Sequence, residues 1–168
     1  VAAAAGPGGE LDGIFIVAGD GHWAPVLDSG IDVADKMWAI NIYPFINAIQ
    51  IGGRVMKAHG GGSIVGLSSV AAWCSAPGMA AYGAAKAALE YYVKCAADEL
   101  GEHKIRVNAV RSGYTSTGST TGIVANEVWN RKFVDATPLG EAYGQAEDLG
   151  PMVSLLLSDD TRWITGQI

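Results

Sequence analysis

Three short runs in the chain are apolar almost throughout: LDGIFIVAG (Leu11–Gly19), SIVGLSS (Ser63–Ser69) and IRVNAV (Ile105–Val110). Each is rich in β-branched residues, the pattern of strands buried on both faces. Between them lie segments of helical length, Val33–Ala58 and Met79–Leu100, and Ala146–Leu157 follows the third. Gly101 stands where a C′ glycine would stop the second helical segment. Glu147 and Asp148 sit at the start of the last, where the helix dipole favours acids. Pro44 lacks the N–H that a helix interior needs, which predicts a local kink near Asn41. HGGGS (His59–Ser63) precedes a strand, whereas a phosphate cradle follows one, so it reads as a turn.

Strand, helix, strand, helix, strand predicts parallel βαβ units with right-handed crossovers, a doubly wound α/β layer. In such sheets ligands sit outside the carboxyl ends of the strands. That rule singles out Gly19, Ser69 and the loop RSGYTSTG (Arg111–Gly118), because each follows directly on a strand end.

The composition fits one folded domain over residues 1–168: 49% of the residues are hydrophobic and 17% charged. The net charge is −6 and no basic run occurs, so nucleic acid is excluded as an expected partner. Cys74 and Cys95 have neither the number nor the spacing of a disulfide framework. His22, His59 and His103 are scattered, so no metal site is expected. No apolar run approaches membrane-spanning length and no leader-like segment opens the chain, which makes the cytoplasm the expected compartment.

The chemistry gathers on SSVAAWCSAPGMAAYGAAK (Ser68–Lys86). Tyr82 and Lys86 are four apart and share a helix face. An ammonium beside a phenol favours the phenolate, so Tyr82 is expected to have a lowered pKa and to exchange a proton with a carbonyl or alcohol oxygen. Ser69 ends a strand thirteen residues earlier, and Asn41 lies 28 residues before Ser69. Each also has a plainer reading: Ser69 as a strand end, Asn41 as a polar helix residue, Thr115 and Thr117 as turn residues. Trp73, Tyr114 and Trp129 are either pocket walls or core aromatics.

Taken together these segments resemble the short-chain dehydrogenases/reductases, single-domain Rossmann-fold oxidoreductases that use a nicotinamide coenzyme. SSVAAW…YGAAKAAL resembles that family's serine and Tyr-x-x-x-Lys segment, and AINIYPF its asparagine helix. IVAG stands where Asn-Asn-Ala-Gly usually closes a strand. RVNAVRSGYTST resembles the loop that borders the nicotinamide, and PLGEAYGQAEDLGPMVSLLLSDDTRWITGQI the C-terminal segment.

The resemblance implies a role for each matched residue. Tyr82 is the acid/base. Lys86 holds the nicotinamide ribose and lowers the Tyr82 pKa. Ser69 binds the substrate oxygen, and Asn41 holds a water that links Lys86 to solvent. Ala18 and Gly19 pass under the coenzyme, NAD or NADP, while Gly113, Thr115 and Thr117 border the nicotinamide. It also implies a small-molecule alcohol or ketone substrate, a dimer or tetramer built on the helices over Val33–Ala58 and Met79–Leu100, and substrate selection by the loops after Ser69 and Gly113 and by residues 118–137.

Ile16 and Val17 replace the usual asparagines, Gly66 stands where another asparagine is common, and Ser112 replaces the usual proline. The family's glycine-rich loop, its surrounding βα units and the acid or base that selects NAD or NADP are not in this sequence, so a longer protein is expected. The alternative reading is a relative with weakened coenzyme binding kept for binding or assembly; dehydration or epimerisation on the same residues is a third.

Overall fold

The computed structural model describes residues 8–121, 125–139 and 143–168, and of Ser119 and Trp129 the backbone alone. The three apolar runs form one parallel sheet, β1 (Gly13–Ile16), β2 (Gly62–Ser69) and β3 (Ile105–Ser112), in that spatial order. Pairing of β2 with β3 runs in register from Gly62↔Ile105 to Ser69↔Ser112, so Ser69 and Ser112 end side by side. The first strand is shorter than its apolar run. Val17, Ala18 and Gly19 leave the ladder and lie exposed at its carboxyl end, while Ile16 joins the core.

Among the described residues five α-helices accompany the sheet: α1 (Ile31–Asn41), α2 (Tyr43–Ala58), α3 (Ala80–Leu100), α4 (Glu127–Ala136) and α5 (Ala146–Leu157). Successive side chains of a strand point to opposite faces, and β2 shows the consequence. Ile64 packs with Met37, Phe45, Leu89 and Val93 from α1–α3, whereas the next residue, Val65, packs with Val153 and Leu156 of α5. Helices therefore cover both faces of the sheet, as the doubly wound reading expects. Burying a side chain the size of Phe45 or Leu89 stabilises the fold by ~1.5–3 kcal/mol, so this two-sided core holds the strand ends in place.

The segment Val33–Ala58 is two helices rather than one. They break at Ile42, and Pro44 falls in the first turn of α2, where its missing N–H leaves no bond unmade. The kink expected near Asn41 is a one-residue interruption at Ile42, which keeps right-handed helical angles, and it leaves Asn41 as the last residue of α1. The role expected of Gly101 is corrected. Gly101 has right-handed helical angles and begins a short 3₁₀ turn through His103; the left-handed residue is Lys104, with φ 59°. The reason is that the chain tightens for one more turn before reversing into β3.

Two departures from the resembled pattern have local compensations. A Cβ on Gly66 would come within 2.6 Å of Phe45 Cε2, so the aromatic ring occupies the space above that glycine. Ser112 supplies a hydrogen bond where a proline would supply stiffness: its Oγ donates to the Ser68 carbonyl at 3.3 Å.

Arg106 and Asn108 anchor the chain's last turn. Arg106 Nη1 donates to the Leu156 carbonyl (2.8 Å) and Nη2 to the Ser158 carbonyl (2.9 Å), satisfying carbonyls that α5 leaves open. Asn108, fully buried, donates to the Ile164 carbonyl (3.0 Å) and accepts from the Gln167 N–H (3.0 Å). A second parallel pair, β4 (Thr115–Ser116) with β5 (Gly144–Gln145), was not visible in the sequence pattern because each strand has only two residues. Among the described residues no helix is long and apolar enough to cross a membrane.

Candidate active site

The break at Ile42 points Asn41 inward from the end of α1. Its Nδ2 donates to the Met37 carbonyl and to the Asp20 carbonyl, both at 3.0 Å, which ties α1 to the loop leaving β1. Its Oδ1 is buried with no hydrogen-bond partner. Gly19 lies against that oxygen with φ 148°, and any Cβ there would overlap Asn41 Oδ1 and approach Lys86 Nζ to 3.1 Å. Gly19, Asn41 and Lys86 thus meet at one point, at the carboxyl end of β1.

Lys86 is 3% exposed, and its Nζ donates to the Leu67 carbonyl at 2.9 Å. Burial disfavours the ammonium and lowers its pKa to about 8. One turn earlier on α3, the Tyr82 ring centroid is 5.8 Å from Lys86 Nζ. The Ser69 hydroxyl lies toward the Tyr82 phenol and favours its ionised form. Ser69 Oγ accepts from the Ala71 N–H at 3.2 Å, so the backbone fixes the oxygen and leaves its proton to donate.

The expected lowering of the Tyr82 pKa is corrected. Burial raises it above the usual value; the Ser69 hydroxyl opposes this and the Asp20 carboxylate adds to the rise. The physical reason is the cost of placing a phenolate in a part-buried site. Lys86, itself discouraged from carrying charge and bonded to Leu67, does not offset that cost. Tyr82 is therefore a phenol at neutral pH.

Beyond the end of β3 lies a cavity of about 370 Å³ lined by Gly113, Tyr114 and Thr115, with Val70, next to Ser69, on its wall. Tyr114 stacks on Phe133 of α4, centroids 3.3 Å apart, and burial pushes its pKa up to about 12, with smaller contributions from Tyr143 and Tyr82. Tyr114 is thus a wall residue close to Tyr82. Trp73 instead stands 77% exposed with Arg111 5.3 Å over its ring. The Trp129 side chain lies outside the described residues.

Thr117 caps the 3₁₀ turn Gly118–Thr120: its N–H donates to Thr120 Oγ1 at 2.8 Å and the two hydroxyls are 3.4 Å apart. Thr115 lines the cavity. Ala18, like Gly19, is exposed beyond the carboxyl end of β1.

Ser69, Tyr82, Lys86, Asn41 and Gly19 therefore come together, with Gly113 and Thr115 bordering the adjoining cavity. Asp20 was missed by sequence reasoning. Its signal was available, since it directly follows a glycine that closes a strand. Among the described residues no cluster of His, Cys, Asp and Glu suits a metal.

A family model described as enoyl-(acyl carrier protein) reductase matches residues 1–168. The chain is 33% identical over 143 residues to carbonyl reductase [NADPH] 2 of Sus scrofa, covering 84% of this chain and 58% of that protein. Among solved structures, a short-chain type dehydrogenase/reductase from Mycobacterium ulcerans superposes with a TM-score of 0.91 at 31% identity, covering 96% of this chain and 58% of that one. A 7α-hydroxysteroid dehydrogenase complexed with NADH and 7-oxo glycochenodeoxycholic acid superposes with a TM-score of 0.89 at 29% identity, covering 95% and 62%. The chain spans about three fifths of the length of the curated relatives it matches. Fold, converging residues and family match lead to one conclusion: the chain belongs to the short-chain dehydrogenase/reductase family.

Proposed function

We propose that this chain carries the catalytic part of an NAD(P)-dependent oxidoreductase that interconverts a secondary alcohol and a ketone, with Tyr82 as acid/base. The observation that carries the reading is the convergence of Ser69, Tyr82, Lys86 and Asn41 at the carboxyl ends of β1 and β2.

The residues present fit a nicotinamide nucleoside. Gly19 leaves a cradle that a Cβ would fill, and Asn41 Oδ1 is a buried acceptor awaiting a donor. Lys86 Nζ uses one of its three protons on Leu67. Lys86 would hold ribose hydroxyls, Ala18 and Gly19 would lie beneath the ring, and Gly113, Thr115 and Thr117 would border it. When bound, the coenzyme supplies the hydride chemistry.

The chain's own residues position the substrate and manage a proton. The Ser69 hydroxyl, fixed by the Ala71 N–H, donates to the substrate oxygen and holds it within reach of Tyr82. Tyr82 gives its phenolic proton to that oxygen during reduction and takes one back during oxidation. Burial and Asp20 keep the phenol protonated, the form that donates during reduction. Asn41, between the Asp20 carbonyl and Lys86, would hold a water through its open Oδ1 and so connect the site to solvent. Val70, Tyr114 and the stacked Phe133 make the substrate side apolar and aromatic, suited to a hydrophobic, medium-sized ketone.

Exposed Trp38, Tyr43, Ile51 and Tyr91 on α1–α3 support a dimer or tetramer built on those helices, which sedimentation velocity tests. The function itself is tested by titrating the whole protein with NADH and NADPH and then screening small and aromatic ketones for coenzyme oxidation. Binding with turnover supports the reading. Absence of affinity for either coenzyme favours a binding or assembly role.

A further inference from the structure

Glu90 is a buried acid, 8% exposed, that the proposed chemistry does not use. Three elements converge on it. Along α3 it stands one turn after Lys86 and two after Tyr82, on the same stripe of the helix. From β2, Ser68 Oγ donates to Glu90 Oε1 at 2.7 Å. From β3, Arg111 donates through Nε to Oε1 at 2.9 Å and through Nη2 to Oε2 at 2.7 Å, a two-pronged pair. Ser68 and Arg111 are themselves register partners in the sheet.

Each of these contacts leads to the reacting centre. Ser68 precedes Ser69, whose hydroxyl lies toward Tyr82. Arg111 precedes Ser112, which bonds back to the Ser68 carbonyl, and then Gly113 of the cavity wall. Two successive residues of β2 are therefore bonded to one stripe of α3, Leu67 to Lys86 and Ser68 to Glu90, and the next, Ser69, lies toward Tyr82 of the same stripe. Burial of the carboxylate is offset by the guanidinium and the hydroxyl. An apolar side chain would fill the volume equally well but would impose no direction on Ser68.

We propose that Glu90 is a positioning residue for the proposed reaction: by binding Ser68 and Arg111 it holds the end of β2 in register with α3 and so keeps the Ser69 hydroxyl toward Tyr82. This rests on the reading of Ser69 and Tyr82 as the working pair. Glu90 is held ionised against its burial by Arg111 and Ser68, with Lys94, one turn on along α3, contributing less. These are the groups that face it from β3, β2 and its own helix.

The test is made in the whole protein, with steady-state kinetics across pH for Glu90→Gln and Arg111→Met. Glu90→Gln keeps the volume but removes the charge and sets an amide against the guanidinium. It is expected to lower kcat by about ten- to a hundredfold, the scale of an ångström-level misplacement, with coenzyme affinity unchanged. Arg111→Met leaves the buried carboxylate without its cation, so the Glu90 pKa rises, and kcat gains an acid-side limb absent from the parent. Folded Glu90→Gln with parental kcat, or Arg111→Met with no new limb, overturns the proposal even if either variant melts earlier. If both fail to fold, Ser68→Ala removes a single hydrogen bond; a several-fold loss of kcat supports the proposal and an unchanged kcat overturns it. Tyr82→Phe is assayed alongside to separate the two claims. If it is inactive while Glu90→Gln is fully active, the positioning role alone is wrong. If it stays active, the acid/base reading fails and the positioning role with it.

Discussion

Gly19 rests directly on Asn41, so closely that a single added methyl would overlap the Asn41 Oδ1 atom. The contact joins the loop leaving β1 to the end of α1 at the point where Lys86 also arrives. It accounts for two sequence features at once, a glycine closing a strand and an asparagine at a helix break.

Gly19→Ala is accordingly expected to be costly for two reasons, the clash and the positive φ. A destabilisation of about 1–3 kcal/mol is anticipated, with a rise in the coenzyme dissociation constant as Asn41 is pushed aside. Urea melts and coenzyme titration check it. An alanine variant that melts and binds as the parent does would contradict this account of the contact.

Gly66 and Phe45 form a matched pair across β2 and α2. Gly66→Ala drives a methyl into the ring and is expected to destabilise by about 1–3 kcal/mol. Phe45→Leu frees that space, so the double variant should be more stable than the sum of the two single losses. Strict additivity in a thermal-melt cycle would mean that the two residues do not compete for volume.

Lys104 is a non-glycine residue in left-handed conformation, at the turn into β3. Glycine adopts that conformation without steric cost, so Lys104→Gly is expected to stabilise by about 0.5–1 kcal/mol. The same substitution at a right-handed position would destabilise. A loss of stability on Lys104→Gly would therefore refute the backbone assignment.

Asp20 raises the Tyr82 pKa through its charge. For alcohol oxidation Tyr82 must be a phenolate, so the rate climbs as pH rises through its pKa. Asp20→Asn removes one cause of the elevation, the pKa falls, and the ascending limb of kcat/KM for oxidation should move to lower pH. Lys86, which loses charge near pH 8, contributes alike in both proteins and cancels in the comparison. No shift, or a shift to higher pH, would remove Asp20 from the account.

The strand and helix order was legible in the sequence because apolar runs and helical stretches alternate cleanly. Pro44 announced the break beside Asn41, since its missing N–H is a local property. The spacing of Ser69, Tyr82 and Lys86 likewise survived into the fold, where those residues meet. What stayed hidden depends on three dimensions. The direction of the Tyr82 shift is set by burial, which no spacing reveals, and it came out opposite to the pairwise Lys–Tyr argument. The Glu90–Arg111 pair spans 21 residues and two elements. The two-residue strands β4 and β5 carry too little pattern to be read at all, and the turn after α3 closes on a lysine where composition favoured Gly101.

The most direct test of the central claim is the turnover of Tyr82→Phe in the whole protein, measured with saturating coenzyme and a ketone that the parent reduces. Loss of the phenolic proton donor is expected to lower kcat by roughly 10²–10⁴-fold, with coenzyme affinity nearly unchanged because Lys86, Asn41 and Gly19 remain in place. A phenylalanine variant that turns over at the parental rate would contradict it.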